Sequence, residues 1–328
     1  MRFIRREFLR LTAGAAALAA VQDAAAQAYP SRPVTMIVPF PPGGLTDVLG
    51  RVLAAGMQRV LGQSVVIENV GGASGSIGTG RVARAPPDGY TMVLGIWNTH
   101  VANGATYALD YDVVKDFAPI ALCADAPLVL LAKKAIPADN LQGYIAWLKA
   151  NPNKASMATV GIGSPGQLLG ILIQKQTGAR FTLVPYRGAG PEVQDVVAGH
   201  IDMTFANTAT ALPFVRAGSV KALGVTSLKR MAQEPQIPTL DEAGLRGFSF
   251  SLWAALFAPH GTPSDIVDKL NAAAVETLHD PDVRRKLEAQ GFAIPTRERQ
   301  TPQALAAYQA AEIGKWWPII KAAGIKAE

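Results

Sequence analysis

At 328 residues, 49% of them hydrophobic and only 17% charged, the chain is too core-rich to be disordered or fibrous, and it suits one large or two ordinary domains. Its 31 basic and 25 acidic residues leave a net charge of +6. The cations are scattered along the chain without interleaved aromatics, which argues against a nucleic-acid groove.

The basic stretch Arg5-Arg6-Glu7-Phe8-Leu9-Arg10 leads into an apolar run from Leu11 to Val21, and Ala26-Gln27-Ala28 supplies an A-x-A cleavage pattern before Tyr29. This predicts an export signal over residues 1–28, removed near Ala28. Its apolar core of about 11 residues falls short of the roughly 20 that cross a bilayer as a helix. The paired arginines with Phe8-Leu9 suit the twin-arginine route, although Ile4 stands where a serine usually precedes the pair. Ordinary secretion is the alternative.

Val34 to Phe40 is apolar and β-rich until Pro41-Pro42-Gly43-Gly44 stops it. From Thr46 the period changes to 3.6, with Leu49, Val52, Leu53, Met57 and Val60 on one face before Gly62. Val65 to Ile67 predicts a strand, followed by the glycine-rich Gly71 to Gly80. Thr91 to Ile96 predicts another, after the turn Pro86-Pro87-Asp88-Gly89. A similar series restarts at Leu128. Strands over Leu128 to Ala132, Ala155 to Thr159, Phe181 to Val184, Ile201 to Phe205 and Ala222 to Val225 alternate with helices over Leu141 to Ala150, Pro165 to Thr177, Glu192 to Ala198 and Ala209 to Ala217. The long apolar stretch Phe248 to Ala258 can return the chain to the first series. Three helices opened by proline follow: Pro263 to Leu278, Pro281 to Ala289 and Pro302 to Ala323. The alternation predicts an α/β fold with parallel strands. It divides into two units with the second inserted in the first: 29–128 with 252–328, and 129–251.

Cys123 is the single cysteine, so no intramolecular disulfide can form. His100, His200, His260 and His279 lie far apart and lack ligand-spaced neighbours, so no metal site is expected.

Three loops run from a strand through glycines into a helix start: Phe40 to Asp47, Gly161 to Gln167, and Tyr186 to Pro191. Ligands of open α/β sheets sit at such strand ends, where unpaired backbone N–H groups and the positive end of the helix dipole favour a carboxylate or phosphate. The second loop matches G-x-G-x-x-G. However, the next acid, Glu192, is 26 positions beyond Gly166 on a later helix, whereas a ribose-binding acid is expected about 20 residues on. Ser164 with Gln167 and Pro165 makes a well-capped helix start instead, so no dinucleotide cofactor is expected. Catalytic signals are equally thin. Gly72-Ala73-Ser74-Gly75-Ser76 fails a nucleophile elbow at its fifth position. Asp47 in a first helical turn stabilises its helix by roughly 0.3–1 kcal/mol without any catalytic role. No catalytic residue is assigned.

The ordered segments Val38 to Asp47 with Arg51, Pro87-Asp88-Gly89-Tyr90-Thr91, Val184 to Gly188, Ala222 to Ser227 with Arg230, Pro238-Thr239 with Glu242 and Gly244, and Trp253 before Ala258-Pro259 resemble the Bug (Bordetella uptake gene) family. These are substrate-binding proteins of tripartite tricarboxylate transporters. The resemblance covers essentially the whole chain beyond the export signal. It implies a two-lobed type II periplasmic-binding fold that closes over a small carboxylated solute, works in the periplasm as a monomer, needs no cofactor and delivers its solute to membrane transporter subunits. A sensor-type receptor for a membrane kinase, or an exported hydrolase or isomerase, is the alternative.

Carried onto this sequence, the resemblance places the ligand among Phe40, Gly43, Gly44, Leu45, Thr46, Asp47, Ala73 and Ser76 of the first lobe. Gly163, Ser164, Gln167, Arg187, Gly188 and Asn207 complete the set from the second. Gln167 replaces a family histidine, and Ser76-Ile77-Gly78 replaces Asn-Ile-Gly. Backbone N–H groups, the hydroxyls of Thr46, Ser76, Thr99 and Ser164, and bridging waters would then hold the solute. Trp97, where the family tends to have a small residue, is either buried in the core of the first lobe or offers a stacking face to the solute. The latter favours an aromatic acid or a dicarboxylate over citrate.

Overall fold

The computed structural model describes residues 29–186, 189–231 and 233–327. The expected export signal lies outside the described residues, as do Arg187 and Gly188.

Strand β1 (Val34–Val38) is buried along most of its length, as a parallel strand covered on both faces must be. Pro39, Pro41 and Pro42 have no N–H for a ladder, so the strand ends there. Helix α1 (Leu45–Leu61) then buries Leu49, Leu53, Met57 and Leu61, four residues apart on one face. It stops at Gly62, whose left-handed φ of 69° turns its N–H onto the carbonyl of Gln58. Strand β2 (Val65–Asn69), α2 (Ser76–Ala83), β3 (Thr91–Ile96), α3 (Asn103–Thr106) and β4 (Phe117–Ala124) complete the first series. The second comprises β5 (Leu128–Lys133), α4 (Leu141–Ala150), β6 (Ser156–Thr159), α5 (Pro165–Thr177), β7 (Thr182–Pro185), α6 (Ala189–Ala198), β8 (Met203–Asn207), α7 (Thr208–Arg216) and β9 (Val220–Val225). Finally come β10 (Ala254–Pro259), α8 (Ser264–His279), α9 (Pro281–Ala289) and α10 (Pro302–Ala322).

The strands form two five-stranded sheets on one plan. In the order β2-β1-β3-β10-β4, β1 is parallel to β2 and β3, while β10 is antiparallel to both its neighbours. In the order β7-β6-β8-β5-β9, β6 is parallel to β7 and β8, while β5 is antiparallel to both its neighbours. Each antiparallel strand is the one by which the chain arrives from the other sheet. The result is a two-lobed α/β fold with the second lobe inserted in the first. The two crossing segments hold one another: Ala126 and Leu252 exchange N–H···O bonds of 3.2 and 3.0 Å, and the Phe250 N–H donates to the Thr226 carbonyl at 2.9 Å.

Both sheets are mixed where parallel strands were expected, α2 and α3 form where no helix was expected, and two strands also differ. The apolar stretch from Phe248 becomes a strand only at Ala254, because residues 249–253 form the extended return link. Strand β4 has no counterpart in the periodicity, since Pro119 interrupts it. The proline is tolerated because β4 is an edge strand, and the register shifts where Phe257 meets Pro119.

One apolar core lies between β1, α1 and α8, with Met36, Leu53, Met57, Leu270 and Leu278 at its centre. A second packs Val129, Leu131, Val193, Val196 and Ala211 within the inserted lobe. A third runs through both lobes beneath the crossing segments, from Val93 and Trp97 through Phe250, Trp253 and Trp316 to Leu130, Tyr144 and Phe205.

Candidate functional site

The strand ends of the two lobes face each other across a cavity of about 280 Å³. Phe40, Ser74, Ile96 and Asn98 line it from the first lobe, and Val160, Ile162, Ser164, Pro165, Gly166, Glu192, Phe205 and Asn207 from the second. Leu128 and Leu252, on the two crossing segments, form its back. A larger cavity of about 400 Å³ opens between α1, the C-terminal end of α8, Asp280 and Arg297. It lies on the outer surface, where the Arg59–Asp280 ion pair at 3.2 Å occupies two of its charges, and away from the strand ends where α/β sheets bind ligands.

The loop after β1 is organised by Asp47. One carboxylate oxygen accepts from the Gly43 N–H and from Arg51 Nε, both at 2.9 Å, and the other accepts from Asn69 Nδ2 at 2.9 Å. Asn69 also donates to the Phe40 carbonyl at 3.0 Å. The Arg51 hydrogen bond, with those of Gly43 and Asn69, holds the Asp47 carboxyl down at about 2 against the opposing effect of burial. Asp47 therefore turns into its own loop. The Gly43 N–H expected to meet the ligand is already taken by it. Gly44 is exposed, and Leu45 and Thr46 are half-buried in the first turn of α1. Of this loop only Phe40 lines the cavity.

In the glycine-rich loop after β2, Ala73 and Ser74 hold left-handed φ angles of 45° and 53° between Gly72 and Gly75, a conformation that costs about 1–2 kcal/mol per non-glycine residue. Asn103 fixes it from α3: its Nδ2 donates to the Ser74 carbonyl at 3.0 Å and to Ser76 Oγ at 2.9 Å. Ser76 is thus buried and occupied, Ala73 is exposed, and Ser74 is the residue at the cavity. Asn103 escaped the sequence reading because its partners lie 29 and 27 residues away.

The Gly161 to Gln167 loop behaves as a capped helix start. Ser164 Oγ accepts from the Gln167 N–H at 3.3 Å, and Gln167 Oε1 accepts from the Gly163 N–H at 2.8 Å. Ser164 lines the cavity, while Gln167 serves the loop itself. Gly163, at φ 71°, lies close to the first lobe: a Cβ there would stand 3.3 Å from Thr106 Cγ2. Asn207 caps α7, its Oδ1 accepting from the N–H of Thr210 at 2.9 Å, and lines the cavity.

Of its two expected placements, Trp97 takes the core and not the stacking face. It is fully buried and packs edge-on against Phe250 and Trp316, with ring centroids 5.0 and 5.4 Å away. Its neighbour Asn98 reaches the cavity instead. Thr99 is fully buried too, its Oγ1 engaged with Ile96 and His100. Among the described lining residues, Glu192 is the one ionisable group. Among the described residues, no cluster of three histidine, cysteine or carboxylate side chains could hold a metal.

The wall is therefore apolar, with hydroxyl and amide groups and the N-termini of α5 and α7 converging on it. Such a surface offers hydrogen-bond donors and a positive dipole end to a small anion.

Residues 49–325 match the model of a family described as tripartite tricarboxylate transporter family receptor, TctC. Protein BugT of Bordetella pertussis is 38% identical over 317 residues, which span 96% of this chain and 95% of that protein. MatC of Rhodopseudomonas palustris, solved with bound malate, is similar at 38% identity with a TM-score of 0.77, covering 89% of this chain and 100% of that one. An R. palustris protein solved with adipate is 34% identical with a TM-score of 0.79, covering 91% of this chain and 100% of that one.

Proposed function

The chain belongs to the tripartite tricarboxylate transporter receptor family and is a solute receptor; from that premise we propose that it binds a small aliphatic dicarboxylate between its lobes and hands it to a membrane transporter. The observation that carries this reading is the cavity of about 280 Å³ between the lobes, with two helix N-termini and four uncharged polar residues on its wall. It suits an acid of the size of malate or adipate, the ligands of the two similar structures, with a few bridging waters. Burial of Trp97 removes the ground for favouring an aromatic acid. We place the lobes at 29–128 with 252–328 and at 129–251, and the working compartment outside the cytoplasm, after removal of the signal near Ala28. The receptor acts as a monomer and performs no chemistry.

Mass spectrometry of the small molecule released on denaturation, followed by calorimetry with malate, adipate, citrate and benzoate, tests the reading. The expected result is micromolar or tighter binding of a dicarboxylate, with the ligand recovered unchanged after many equivalents. Binding of benzoate alone, or conversion of the acid, would overturn it.

A further inference from the structure

Glu192 lies in the first turns of α6, only 3% exposed, on the second-lobe wall of the cavity. Around the cavity its companions are Ile96, Leu128, Val160, Ile162, Phe205 and Leu252, an apolar setting in which an ionised carboxylate is costly. The receptor function does not use it. If the solute is a carboxylate, as proposed above and as this inference requires, an ionised Glu192 would repel it across a low-dielectric gap.

We propose that Glu192 is a ligand-binding residue that acts as a neutral acid, its carboxyl O–H donating a hydrogen bond to one carboxylate of the solute. Two carboxyl groups sharing one proton make a short, charge-assisted O–H···O⁻ bond, stronger than a neutral hydroxyl would make. The residue thereby selects for a solute whose second carboxylate reaches the second lobe. Burial supports the neutral form by pushing the Glu192 carboxyl up to about 8, against the smaller effect of the Thr204 hydroxyl.

The charged groups on the surrounding elements leave this setting intact. On α6 itself, Asp195 is engaged by the Tyr186 hydroxyl at 2.5 Å and faces His200. Strands β6 and β8 carry no ionisable side chain. Lys133 of β5 pairs with Asp202, and Arg216 of α7 pairs with Glu234. Arg187 lies outside the described residues, and its pairing with Glu192 would appear as loss of the pH dependence below.

Calorimetry with adipate and with malate from pH 6 to pH 10 tests the proposal on the full mature chain, on Glu192→Gln and on Glu192→Ala. The wild type should bind with constant affinity at pH 6–7 and lose about tenfold per pH unit above pH 8–9, since binding must then take up a proton. Titrations at pH 9 in two buffers of different ionisation enthalpy should show uptake of about one proton per ligand. Glu192→Gln, which keeps a neutral donor, should be flat across the range. Glu192→Ala should bind at least tenfold more weakly at pH 6 with its cooperative unfolding intact. Equal, pH-independent binding by all three proteins would overturn the role of Glu192 and leave the receptor reading standing. Failure of the wild type to bind any carboxylate at pH 6 would overturn both.

Discussion

Asp47 uses both carboxylate oxygens within its own loop, and its value to the site is the shape it imposes on Phe40 and Gly43. Asp47→Ala leaves Gly43, Arg51 and Asn69 without their acceptor and should cost about 2 kcal/mol. Because the folded carboxyl is held at about 2 instead of 3.8, this contribution is fully present above pH 4 and fades as the pH falls through 2. Denaturant midpoints of wild type and variant should therefore differ at pH 7 and converge as pH 2 is approached. Glu192 has the opposite sign. Burial raises its carboxyl from 4.5 to about 8, so between those values the folded chain keeps a proton that the unfolded chain has released. Stability linked to this group is fully present below pH 4.5 and is lost as the pH rises through 8. Ligand-free Glu192→Gln should thus gain on the wild type in thermal midpoint between pH 6 and pH 9. At Gly75 the backbone decides: φ is 88°, and a Cβ would lie 2.6 Å from Thr99 Cγ2 and 3.2 Å from the Pro39 carbonyl. Gly75→Ala should cost roughly 2–4 kcal/mol from left-handed strain and overpacking.

At the scale of elements, the N-terminus of α5 combines cap and ligand wall in one residue. Ser164→Ala removes the acceptor for the Gln167 N–H and should cost about 1 kcal/mol of stability. A larger proportional effect is expected on dicarboxylate affinity, near tenfold, because a cavity hydroxyl goes with it. Helix α10 reaches the returning crossing segment through Trp316, which with Trp97 and Phe250 forms three mutual edge-to-face contacts at 5.0–5.6 Å. Glu312 accepts from Trp316 Nε1 at 3.2 Å; burial raises its carboxyl, while Lys315 and the Trp316 N–H oppose the rise. Trp97→Ala should lower stability by about 3–5 kcal/mol, as deletion of a large core side chain does. Thermal unfolding and calorimetry on the folded protein separate this from a binding role: a stable variant that has lost its ligand would return Trp97 to the site.

For the whole molecule, two sheets built on one plan are joined by the paired segments around Ala126 and Leu252, by a shared apolar core and by contacts such as the Thr208 hydroxyl donating to the Gly291 carbonyl at 3.2 Å, an arrangement suited to closing as a clamshell. A ligand touched by Ser74 and Asn98 on one side and Ser164 and Asn207 on the other stabilises the closed form by its differential contacts. Solution scattering with saturating adipate should show a smaller radius of gyration than without it. Tryptophan emission should change in the same titration, since Trp97, Trp253 and Trp316 lie in the core shared by the lobes. No compaction with a tight ligand would sink the hinge mechanism.

Alternating apolar periods, proline and glycine stops, and capped helix starts depend on neighbours a few residues apart. For that reason the α/β class, the inserted second lobe and the capped helix start at Ser164 followed from the amino-acid order alone. Strand β4 did not, because Pro119 breaks a local pattern that only the edge of a finished sheet excuses. The site divides in the same way. Phe40, Ser164 and Asn207 line the cavity because strand ends and caps put them there, which local sequence can specify. Whether Trp97 stacks on a ligand or fills a core was settled by Phe250 and Trp316, more than 150 positions away in the chain. Asn103 and Glu192 acquired their positions likewise, from partners in other elements. Burial is a property of packing between distant segments, so the tertiary fold alone decided which polar groups face the solute and which hold the loops that do.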